Sequence, residues 1–119
     1  MKEEFICFLW QYRLYDSVEL TTTSGEQVKV ISPGTYNYDS GPDFFAARVE
    51  IDGTILVGNI EIHINSSNWY HHRHHNDAAY SNIILHVVMN HDREILDMQN
   101  NLIPVIELQN KFDKSLLDR

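Results

Sequence analysis

From Asn59 to Asn65 polar and apolar residues alternate without a break, Asn59, Glu61, His63 and Asn65 against Ile60, Ile62 and Ile64. Successive side chains of a strand point to opposite faces, so this segment presents three isoleucines on one face and four polar groups on the other. Upstream, Asp52-Gly53 separates the runs Phe44 to Ile51 and Thr54 to Asn65, a strong hairpin signal. The chain must build a sheet around these two strands. Any half-exposed strand carries a polar row, so the row acquires meaning only from what lies beside it.

The remaining elements follow from periodicity. Glu3 to Tyr15 reads as a helix, with Phe5, Phe8, Leu9 and Tyr12 in an apolar stripe at i, i+3, i+4 and i+7. Thr21 to Gly25 reads as a turn and Gln27 to Ile31 as a short strand. Ser32 to Pro42, rich in Gly, Pro, Asn, Asp and Ser, reads as a loop. Ser66, Ser67 or Asn68 is placed to cap a helix over Trp69 to Tyr80. Ile83 to Met89 is a nearly continuous apolar run, as in a buried strand, and Ile103 to Leu108 adds another. Lys111 to Arg119 reads as the start of a helix with little to pack against. The expected fold is α/β (α+β), a mixed central sheet of four to five strands flanked by two helices, in the order α-β-β-β-α-β-β. A helical crossover between Asn65 and Ile83 makes the strands on either side parallel.

The chain has 119 residues, enough for one domain with one core. No run reaches the length of a membrane span. Lys2-Glu3-Glu4 is acidic where a secretory signal is basic, and a single cysteine, Cys7, forms no internal disulfide. A cytoplasmic setting is the expectation. With 17 Asp and Glu against 9 Lys and Arg, the net charge is −8, which argues against a large nucleic-acid footprint but not against a nuclease.

Asp43 follows the turn Gly41-Pro42 and opens the first hairpin strand. With a two-residue Asp52-Gly53 loop and an unbroken ladder, Asp43 faces Ile62 and lies on the opposite side of the sheet from Glu61. A three-residue loop, or a bulge such as one at Gly58, shifts the ladder by one and sets Asp43 directly opposite Glu61. In that register Asp43, Glu61 and the Ile62 carbonyl form an oxygen-rich site of the kind Mg²⁺ or Mn²⁺ prefers. Such an ion activates water and stabilises charge on a phosphodiester. His63, on the same face as Glu61, is placed to orient or deprotonate that water. Glu4 is a candidate to complete the shell from the first helix, although acidic residues favour a first helical turn in any case.

His71, His72, His74 and His75 form a dense cluster, with His71/His75 and His72/His75 at helix-face spacing. Clustered surface histidines bind Zn²⁺ or Ni²⁺ weakly without purpose, and incidental affinity is the favoured reading, with a zinc-binding structural module built on this stretch as the weaker alternative. His72, His75, Asp77 and Tyr80 are the substrate-side candidates. For Tyr80, packing between helix and sheet is the simpler reading. His86, inside an apolar strand, reads as a neutral hydrogen-bonded core histidine, and Cys7 as core packing. Trp10 and Trp69 read as anchors of the two helices.

Gly41-Pro42-Asp43-Phe44, Gly58-Asn59-Ile60-Glu61-Ile62-His63, Ser66-Ser67-Asn68-Trp69, His75-x-Asp77-x-x-Tyr80 and Asn82-Ile83-Ile84-Leu85-His86-Val87-Val88 resemble the motifs of the uncharacterised bacterial domain-of-unknown-function family 2851. The resemblance covers nearly the whole chain. Family members are usually several times longer, which implies that residues 1–119 are a single N-terminal domain that docks against an absent C-terminal part. More distantly, the element order with Pro42-Asp43 and then Glu-x-His resembles the PD-(D/E)XK nuclease superfamily. That likeness implies a restriction-endonuclease-like fold and a metal on Asp43 and Glu61. It also implies a water-activating role for His63, where lysine is usual, and an assisting one for Glu4. It makes a Mg²⁺- or Mn²⁺-dependent nuclease the leading expectation. The alternative is a catalytically inactive module that binds a protein or nucleic-acid partner.

Overall fold

A computed structural model describes residues 1–118. Strands β1 (Val28–Ser32), β2 (Thr35–Tyr36), β3 (Phe44–Ile51), β4 (Thr54–Asn65), β5 (Ile83–Asn90) and β6 (Val105–Glu107) form one mixed sheet. Its order is β1-β3-β4-β5-β6, with β2 paired to the start of β3. The hairpin half is antiparallel, and β4, β5 and β6 are mutually parallel, as the crossover requires. The mixed α+β architecture matches the expected order, with β2 added inside the segment expected to be loop. The final segment forms a 3₁₀ turn, Lys114–Asp118, and Arg119 lies outside the described residues.

Helix α1 spans Glu3–Gln11, shorter than expected. It stops because Arg13 is left-handed (φ 55°) and its guanidinium donates to the carbonyls of Val30 (3.1 Å) and Ile31 (2.8 Å) of β1. The buried face of α1 is Ile6, Cys7, Leu9 and Trp10. This corrects the expected stripe: Phe8 and Tyr12 are exposed, and with Phe5 and Phe112 they form a chain of aromatic contacts along the outer side. The inner face packs with Phe44, Ile60, Ile62, Leu85 and Val87 into the main core. Trp10 is fully buried and donates from Nε1 to the Pro33 carbonyl at 3.0 Å, anchoring the helix as expected.

On the opposite face of the sheet Trp69, Val88, Ile95, Ile103 and Val105 form a second, smaller core. Here the expected helix over Trp69 to Tyr80 is corrected. Helix α2 is only Asn68–His71, and 3₁₀ turns follow at His74–Asn76 and Ala78–Tyr80. Arg73 is left-handed (φ 59°) and ends α2, while Asp77 is extended and accepts from the Ala79 amide at 2.9 Å to start the second turn. The start of the crossover is tied down elsewhere. The Asp92 carboxylate accepts from Ser66 Oγ, Ser67 N and Ser67 Oγ at 2.9, 2.9 and 2.7 Å. No helix among the described residues is long and apolar enough to cross a membrane.

Candidate functional site

The hairpin closes with the two-residue loop, Ile51 opposite Thr54, the case expected to put Asp43 on the wrong side. A bulge rescues the register. Ala47 pairs with Gly58 but Phe44 pairs with Ile60, so Phe45 and Ala46 together oppose Asn59. Ala46 is left-handed (φ 54°), and its amide donates to the Asn59 side chain at 3.2 Å, which satisfies the donor that the bulge frees. Continued by one residue, this register sets Asp43 opposite Glu61. Asp43 Oδ2 accepts from the Ile62 amide at 2.8 Å, so its side chain takes the place of a ladder carbonyl.

Asp43 lies beside Glu61, near enough to act on its carboxyl, and Glu61 is 3% exposed. Burial, then the adjacent Asp43, pushes the Glu61 carboxyl up to about 11. Two carboxyl groups meet here, and only a proton or a cation resolves their repulsion. Glu61 Oε1 is buried and meets no hydrogen-bond donor.

Around Glu61 stands a ring of imidazoles. Its Oε2 lies 2.8 Å from His74 Nε2 and 3.5 Å from His63 Nε2. His63 Nε2 lies 3.2 Å from His72 Nδ1, and one ligand atom each from His63, His72 and His74 fall within 4.8 Å of one another. Burial holds His74 down to about 4 and His63 down to about 2, in each case with the neighbouring imidazoles adding to the effect. The His74–Glu61 contact is therefore a neutral hydrogen bond between an acid and an imidazole. Behind His63, His86 Nε2 is 2.7 Å from His63 Nδ1. His86 is fully buried and lowered to about 3, chiefly by burial, in agreement with the core role expected for it.

The other candidates divide. Glu4 is exposed on α1, and the neighbouring Glu3 is the half-buried one. Glu3 is raised by burial, then by Asp43, and lowered by His72, so it is Glu3 that faces the site. Helix phase carries that signal, because Glu3 precedes buried Ile6, Cys7 and Trp10 by three, four and seven residues. His72 joins the ring, whereas His75 turns to Tyr70 with ring centroids 5.0 Å apart and Asp77 serves the local turn. Tyr80 stacks on His74 with centroids 3.7 Å apart and fixes that ring. The expected helix-face pairs of His71 and His72 with His75 fail with the helix itself, since α2 ends at His71. His74 is the residue that sequence reasoning left out of the site. Its signal was its spacing, His72-x-His74, which brings two rings to one side only when the intervening residue leaves the helical path.

This arrangement offers two donor sets side by side, carboxylate oxygens from Asp43 and Glu61 and imidazole nitrogens from His63, His72 and His74. A cleft of about 540 Å³ lined by Arg13, Tyr15, Asn110 and Phe112 shares no residue with either. The chain matches a family described as "Protein of unknown function (DUF2851)" over residues 3–119. No curated protein and no solved structure matches it.

Proposed function

Because the chain belongs to the DUF2851 family, whose description assigns no activity, we propose a function from the site itself: a metal-dependent phosphodiester hydrolase domain of nuclease type. The observation that carries this reading is the bulged register that brings buried Glu61 beside Asp43. A buried acid beside a second, partly buried one in the fold is a costly arrangement that a cation or a proton-transfer task would explain. A Mg²⁺ or Mn²⁺ ion held by Asp43 and Glu61 would supply Lewis acidity toward a phosphoryl oxygen. Asp43 keeps its orientation through the Ile62 amide, and Glu3 adds negative charge from α1. His63, neutral and buried on the same face, is placed to orient the water through a neutral hydrogen bond. The partner class is nucleic acid, and the working compartment is the cytosol, in keeping with a single buried free cysteine. His72 and Tyr80 are the substrate-side candidates that border the carboxylates through His63 and His74.

A second reading is a silent module that binds a partner or docks against the rest of a longer protein. It is favoured by one observation: no lysine or arginine stands among the site residues to stabilise a developing phosphate charge. Calorimetric titration with Mn²⁺, followed by cleavage assays on DNA and RNA, separates the two. Saturable Mn²⁺ binding and Mn²⁺-dependent cleavage, both lost in Asp43→Asn, are the expected results. Binding without cleavage would favour the silent module, and no Mn²⁺ binding would remove the hydrolase reading.

A further inference from the structure

We infer that His63, His72 and His74 bind a zinc-class transition-metal ion that staples the crossover between β4 and β5 to the sheet, with Glu61 Oε2 bordering the site beside His63 and His74. This inference is separate from the phosphodiester reading, although Glu61 stands at both sites.

The geometry comes first. Zn²⁺ binds imidazole nitrogen at about 2.0–2.1 Å, so neighbouring ligand atoms of a tetrahedron lie about 3.4 Å apart. The observed separation is 3.2 Å for His63 Nε2 to His72 Nδ1, and one ligand atom from each of the three rings falls within 4.8 Å of the others. Glu61 Oε2 borders them, 3.5 Å from His63 Nε2 and 2.8 Å from His74 Nε2. A donor set of three imidazole nitrogens suits a borderline cation better than Mg²⁺.

The surroundings are built to hold such a ligand set. His63 Nδ1 meets His86 Nε2 at 2.7 Å, so a proton on Nδ1 leaves the Nε2 lone pair free and aimed at the other ligands. His74 is clamped between Tyr80, stacked at 3.7 Å, and Trp69, edge-on at 5.3 Å. His72 is exposed, which leaves an open side through which an ion arrives.

The backbone supplies the purpose. Between β4 and β5 the chain has one helix of four residues and two 3₁₀ turns, too little regular structure to fix itself. Arg73 sits left-handed at φ 59° between His72 and His74, a conformation that is unfavourable for a non-glycine residue. That single turn brings both rings to His63. One ion on these three imidazoles would tie His72 and His74 of the crossover to His63 of β4.

The test uses protein dialysed against chelator and titrated with Zn²⁺ by calorimetry, with Co²⁺ spectra as a second readout. One equivalent is expected to bind, with a four-coordinate Co²⁺ spectrum and a higher Tm. His72→Ala, at an exposed position that the fold does not need, should weaken binding at least tenfold and abolish that spectrum. The His71→Ala/His75→Ala double variant should bind as wild type does. Asp43→Asn should keep the Zn²⁺ site while losing Mn²⁺-dependent cleavage, so the two readings fail separately. Absence of saturable Zn²⁺ binding, or wild-type affinity in His72→Ala, would overturn the inference. So would binding lost only in the His71/His75 variant.

Discussion

Glu61 is the residue on which the site turns, and its protonation gives a sharp expectation. In the unfolded chain its carboxyl ionises near 4.5, while in the metal-free fold it is raised to about 11. A raised acid contributes its full stability below pH 4.5 and loses it as pH climbs toward 11, because the unfolded chain sheds the proton that the fold retains. At pH 7 the fold therefore carries a cost on the order of 3 kcal/mol from this one group. Glu61→Gln keeps the shape, removes the ionisation and offers Asp43 an N–H donor. It should stabilise metal-free protein by roughly 1–3 kcal/mol at pH 7 and by little at pH 4.5, as read by urea denaturation. A destabilised variant at pH 7 would mean that Glu61 is ionised in the fold. The face of Glu61 and His63 was legible in the sequence because a strand's alternation fixes it, whereas Asp43 joins that face only through the bulge in β3. Glu3 and His74 were not legible, since each depends on a helix phase or a turn that tertiary packing decides.

The hairpin is the element that makes the site, and Gly58 guards it. Each strand boundary there was legible: β3 and β4 have the expected limits, marked by Pro42 and Asp52-Gly53. The bulge was legible only as a requirement. No local signal in Phe45-Ala46 announces its location. A Cβ on Gly58 would stand 2.4 Å from Ile84 Cγ2 and 2.9 Å from the Asn82 carbonyl oxygen. The ladder between β4 and β5 also slips at this point, between the pairs Asn59–Ile83 and Ile60–Leu85. Gly58→Ala should cost about 1–3 kcal/mol by overpacking and weaken Mn²⁺ binding through the shifted register. Chemical denaturation and calorimetry on one sample would check both, and a variant as stable as wild type would show that β5 moves freely. The crossover was the least legible element, because its apolar and histidine pattern fits a helix and only the left-handed Arg73 and the extended Asp77 break it.

At the scale of the whole molecule the site places three neutral histidines inside a small fold, and this sets its response to acid. His63, His74 and His86 are held at about 2, 4 and 3, against 6.5 in an unfolded chain. As pH falls below 6.5 the unfolded chain takes up three protons that the fold refuses, so stability drops. Glu61 works in the opposite direction over the same range, because the fold already holds a proton that the unfolded chain gains only near 4.5. Three protons against one leaves a net uptake of two on unfolding between pH 6.5 and 4.5. Each proton is worth about 1.4 kcal/mol per pH unit, so stability should fall by roughly 3 kcal/mol per unit across this window. Small domains hold about 5–15 kcal/mol in all, so the metal-free protein should be close to unfolding by about pH 4. Urea denaturation at pH 6.5, 5.5 and 4.5 reads the slope directly. A flat profile would mean that the rings accept protons within the fold, and the buried imidazole ring would then be an ion-pair network around an ionised Glu61. A bound ion alters the curve in a defined way: it stabilises the fold near neutrality and, because it needs neutral imidazoles, makes the acid loss steeper.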